Sequence, residues 1–167
     1  VSPLTLGAVD ELFDFFEFVG PEIARRGVER GTDEQLMKIQ AGYESIRVLR
    51  DRGVPDADAA DYLVSTANST FLMLATASGN SYLAKVMEQL ALEVARVYRF
   101  ILISDATSRV SLLTHASHAE MPSAAESRDG EQLAELTRQL IRHSHNEVLR
   151  ILVSWPSVMA TEVVLPG

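Results

Sequence analysis

Residues 75–90 read ATASGNSYLAKVMEQL, and the punctuation in their middle decides the fold. The alanine-rich run stops at Gly79, a residue at home in the left-handed conformation that terminates many helices. A new helix begins at Asn80, in which Leu83, Val86, Met87, Leu90, Leu92, Val94, Ala95, Tyr98 and Ile101 recur with a helical period. One helix ends and another starts within two residues, so the two pack as antiparallel neighbours.

The same grammar extends in both directions. Residues 6–29 form a first helix, with an interruption expected at Gly20-Pro21, where proline lacks an amide donor and crowds the preceding turn. Thr32-Asp-Glu-Gln35 is a capping box opening a second helix that runs to about Arg52. Gly53-Val-Pro55-Asp56 stops and restarts the chain, and a third helix covers about Asp58 to Ala77. After the fourth, Asp105 or Thr107 opens a fifth that runs to about Ser127 and contains Pro122. Asp129-Gly-Glu-Gln132 caps a sixth, ending near Val153. Alternation of period two is missing before the last dozen residues, so the fold class is all-α, an antiparallel bundle of about six helices. Residues 1–153 make one domain, and 154–167, with Trp155, form a tail laid on the bundle.

Composition bounds the chemistry. The 167 residues are 47% hydrophobic and 23% charged, the balance of an ordinary globular domain. Cysteine is absent, which excludes thiol catalysis and thiolate metal ligation and fits a reducing cytoplasm. The net charge of −8 argues against direct contact with nucleic acid, which needs excess lysine and arginine to displace counterions. No apolar run approaches the ~18 residues of a membrane-spanning helix. The chain begins at Val1, without methionine, and reads as part of something longer.

Four of the six phenylalanines fall between positions 13 and 18. At 100° per residue, Val9, Leu12, Phe16, Val19 and Ile23 share one face, with Phe13 and Phe15 flanking it, so three rings serve a core or pocket. Phe18 points to the opposite, charged side, which suits a dimer contact.

Three stretches together, ELFDFFEFVGPEIARRGVERGTDEQL at 11–36, ATASGNSYLAKVMEQL at 75–90 and SHAEMPSAAESRDGEQLAEL at 117–136, resemble the FCD effector domain. This is the helical C-terminal half of FadR-type GntR transcription regulators. The resemblance implies a homodimer, a small effector bound within the bundle, and operator DNA met only through a winged helix-turn-helix absent from this chain. It implies a cytoplasmic location and no enzymatic activity.

Many FCD domains hold a metal with an Asp-x3-His pair and two later histidines. Carried across from Ser78-Gly79-Asn80, those positions are Ala67, Phe71, His118 and Leu140, so one ligand of four survives. An arginine that meets effector carboxylates in the family is Phe16 here. The expected pocket, Phe16, Ala67, Phe71, His118 and Leu140, is therefore apolar, without metal or other cofactor. A buried, unpaired carboxylate in it would cost several kcal/mol. Two outcomes stay open: a cavity for an apolar effector with a polar group at His118, or a solid core in a ligandless dimerisation module.

Tyr62, Tyr82, Tyr98 and Asn68 are further candidates for hydrogen bonds inside a pocket, while Arg96 and Arg99 suit the surface or an interface. His115 and His118, three apart, are the pair a metal-dependent helical protein would use. His143 and His145 read as surface residues. No Glu-x-x-His pair, His-Glu-x-x-His, phosphate loop or nucleophile elbow is present.

Overall fold

A computed structural model describes residues 5–104 and 106–154. Its elements are α1 (Leu6–Arg30), α2 (Asp33–Asp51), α3 (Ala57–Ala77), α4 (Ser81–Ser104), α5 (Ala106–Leu113), a 3-10 turn (Ala116–Ala119), α6 (Met121–Glu126) and α7 (Gly130–Ser154). The architecture is all-α, with no strand among the described residues. Trp155 and the rest of the tail lie outside the described residues.

Most of the long helices start where a side chain takes up exposed amides. Thr32 and Gln35 complete the capping box reciprocally. Asp56 accepts from Ala59, Asn80 from Tyr82 and Leu83, and Asp129 from Gln132. Gly79 takes φ +70°, as the break between α3 and α4 requires.

Two expected helix boundaries need correction. The interruption at Gly20-Pro21 does not occur: α1 is continuous to Arg30, with both residues buried. Its packing against α7 and α3 along its length outweighs one lost backbone bond. A Cβ at Gly20 would lie 2.5 Å from Cδ1 of Ile141 on α7, so that side chain would have to shift to admit one.

The single fifth helix is instead three pieces. The chain leaves helical geometry at Thr114-His115, and the His115 ring nitrogen Nδ1 caps the 3-10 turn by accepting from Ser117. Pro122 then sits in the first turn of α6, where its missing amide costs nothing. Arg128, at φ +54°, closes the opposite end of the bundle by donating to the Gly31 carbonyl at 2.8 Å and to Asp33 at 2.7 Å.

The core runs through all the long helices, with Phe13, Ile23, Ile39, Leu74, Met87, Ile101, Leu133 and Ile141 fully or almost fully enclosed. Phe15 departs from its expected place among the inward rings. It is 45% exposed, resting at the edge of a groove shared with Leu12, Val86 and Leu90. Phe18 is 82% exposed.

A cavity at the centre of the bundle

α1, α3, α4, α5, α7 and the 3-10 turn enclose a partly open cavity of about 60 Å3. Phe16, Ala67, Phe71, His118 and Leu140 all contribute to its wall. Five positions drawn from α1, α3, the 3-10 turn and α7 thus meet around one space.

The remaining wall comes from residues that sequence alone does not distinguish from core. Leu63, Val64, Val94, Leu112, Leu113 and Ile141 are apolar and belong to helical faces of ordinary pattern. Phe16 and Phe71 meet edge to face, with ring centroids 5.3 Å apart, and fill one side.

The polar groups are few. Asn68 lines the cavity while its amide donates to the Ala91 carbonyl at 3.1 Å, tying α3 to α4. Tyr98 shares a hydrogen bond with Ser144, and burial pushes its phenol up to about 12, so it stays neutral. Tyr62 and Tyr82 do not take part: they are 57% and 78% exposed, because their positions on α3 and α4 face outward.

His118 differs from the other polar residues of the wall. Only 5% of it is exposed, and its Nδ1 has no hydrogen-bond partner within the protein. A buried polar atom left unpaired costs about 1–3 kcal/mol, so the site has an unmet demand for one partner. Burial lowers the imidazole to about 4, helped by the positive fields of Arg50, His115 and His143. At neutral pH it is uncharged, able to donate or accept at Nδ1 according to tautomer.

The donor set does not fit the family metal. Ala67, Phe71 and Leu140 offer no ligand atom, and among the described residues no three His, Asp or Glu side chains are gathered to hold an ion. His118 faces the cavity, whereas the His115 ring lies 4.7 Å from that of His143.

His143 and His145 are less exposed than surface residues. His143 Nε2 lies 2.6 Å from the Ser111 carbonyl, and His145 Nε2 lies 2.7 Å from Asp10, with its ring stacked on Phe13. Both connect α7 to other elements, a tertiary role invisible in the spacing of two histidines. Arg99 pairs with Asp61 across α3 and α4 at an exposed position, as expected of a surface charge.

Among the described residues no helix is long and apolar enough to cross a membrane. No curated protein matches the sequence. The FCD domain family model matches residues 11–143, which include every expected pocket position. The chain belongs to the FCD domain family, the C-terminal sensing domains of GntR-type transcription regulators.

Proposed function

We propose that this chain is the effector-binding and dimerisation domain of a cytoplasmic FadR-type regulator, and that its effector is a small apolar molecule carrying one polar group. The observation that carries this reading is the unpartnered Nδ1 of His118, a residue in the wall of a largely apolar cavity. Dense packing alone gives no reason to bury an imidazole at a cost and leave it unpaired. A ligand hydroxyl or carbonyl supplies the missing partner, and the apolar body of the ligand replaces weakly held water.

The domain catalyses nothing in this reading and uses no metal. Phe18 packs against a second copy of the chain, and operator DNA is met through a separate winged helix-turn-helix. An effector that prefers one packing of the bundle shifts the population of dimer geometries, by no more than its differential affinity for the two states.

A second reading has its own support. The Phe16–Phe71 contact already fills part of the space, as expected of a ligandless dimerisation module. Thermal unfolding against a panel of small apolar alcohols, ketones and phenols separates the two. A compound that raises Tm of the wild type and leaves Ala67→Phe unmoved supports the receptor; identical responses of both proteins favour the module.

A further inference from the structure

The cavity is small for the role proposed for it. Ligand sites of metabolite size occupy roughly 300–1,000 Å3, whereas this space is about 60 Å3. Binding therefore requires a wall to move. Four walls are the long helices α1, α3, α4 and α7, whose buried faces form the core. The fifth is made of short pieces: α5, with eight residues, and the four-residue 3-10 turn, which present Leu112, Leu113 and His118 to the cavity.

This fifth wall is held by side chains reaching to its backbone. His143 Nε2 on α7 lies 2.6 Å from the Ser111 carbonyl. A carbonyl only accepts, so the imidazole donates. Ser111 is in the last turn of α5, where carbonyls lack helical partners, so this bond acts as a C-terminal cap. The Ser111 hydroxyl donates to the Ser108 carbonyl at 3.3 Å, within α5 itself. The His143 ring rests against His115, the cap of the 3-10 turn. From the other side, Arg50 on α2 reaches the Ala116 carbonyl at 3.4 Å.

We infer that residues 107–119 are a lid over the cavity, latched to α7 through His143 and Ser111, and that effector binding and release require this latch to open. The inference rests on the cavity being the effector site. Because the latch is attached to α7, which also packs along α1, opening it transmits effector occupancy to the bundle's main helix pair.

Amide hydrogen exchange of the 167-residue chain tests the latch without any ligand. Losing a hydrogen bond worth about 1.4 kcal/mol speeds local opening about tenfold. In His143→Ala, amides within 107–119 should exchange about tenfold faster while those of α1 and the centre of α7 keep wild-type rates. His143→Gln, which returns a donor near the Nε2 position, should restore protection. Unchanged rates in 107–119 would overturn the proposal. If His143→Ala loosens the whole bundle, His143→Phe, which keeps a ring but lacks the donor, decides: faster exchange confined to 107–119 supports the latch, and no change there rejects it.

A second arm uses benzene, which occupies apolar cavities of about 150 Å3 and so exceeds the resting space. Its association and release, read by NMR exchange, should both quicken in His143→Ala. Equal rates in the two proteins would count against the lid. Failure of the wild type to bind benzene would instead count against the cavity as a binding site, leaving the exchange rates to judge the latch.

Discussion

The rings of Phe16 on α1 and Phe71 on α3 meet edge to face across the cavity, inclined at 70°. They occupy positions where the family resemblance implies an arginine and a metal-binding histidine. Contact between them converts a place for charge into a place for hydrocarbon, and it adds to the direct packing of α1 against α3.

Returning charge to this place should therefore be costly. Phe16→Arg buries a guanidinium beside Phe71 and Ile141 without a carboxylate to meet it, and several kcal/mol of stability should be lost. Phe71→Ala removes the ring and leaves a void, at a cost of about 3 kcal/mol. Urea unfolding monitored by circular dichroism reads both. Losses under about 1 kcal/mol would mean that the rings do not form a packed wall.

The pH dependence should carry the mark of His118. Its folded-state pKa of about 4 lies below the ordinary 6.5, so the unfolded chain takes up the proton first. Stability is complete above pH 6.5 and falls as pH drops towards 4, by up to about 3 kcal/mol. His118→Gln should flatten the stability curve in this window. Glu22 acts lower: Arg25 and Arg26 hold its carboxyl down to about 2, so its contribution is lost only below the ordinary carboxylate value. A wild-type curve that is level between pH 6.5 and 4 would contradict the burial of a neutral His118.

Arg128 closes the end of the bundle remote in sequence from α1. Its guanidinium holds the Val28 and Gly31 carbonyls and Asp33, joining the turn before α7 to the turn before α2. Arg128→Ala should cost about 1–2 kcal/mol, since these are charge-assisted bonds at a partly exposed site. Arg128→Lys should recover only part, having lost the fork that reaches both turns. Denaturant midpoints of the three proteins supply the comparison.

Much of this arrangement is legible in the sequence because it is local. The Thr32–Gln35 capping box, the Gly79 stop and the outward aim of Phe18 follow from spacing and chain direction alone. The five pocket positions came from family resemblance, and they converge because helix order and lengths match. What escaped needed the third dimension. Leu63, Val94 and Leu112 have nothing in their pattern to separate a cavity wall from a core. The break at Thr114 lacks glycine or proline, since a histidine ring supplies the cap. His145 meets Asp10 and Arg128 meets Gly31 across most of the chain, and Phe15 is exposed because α4 leaves a groove beside it.

Phe18 offers a test of the proposed dimer. A ring 82% exposed among Glu11, Asp14 and other charged neighbours is poorly placed in a monomer. Phe18→Asp should shift sedimentation towards monomer while helicity stays within a few per cent of wild type. An unchanged dimer would remove this residue from the interface.

The most direct test of the account is native mass spectrometry of the purified domain and its Ala67→Phe variant, sprayed from neutral volatile buffer. The account predicts that the wild type carries one organic molecule per chain, lost in Ala67→Phe, with no metal adduct on either protein. A wild type whose mass is that of the bare chain, or that carries a stoichiometric metal ion lost on His118→Ala, would contradict it.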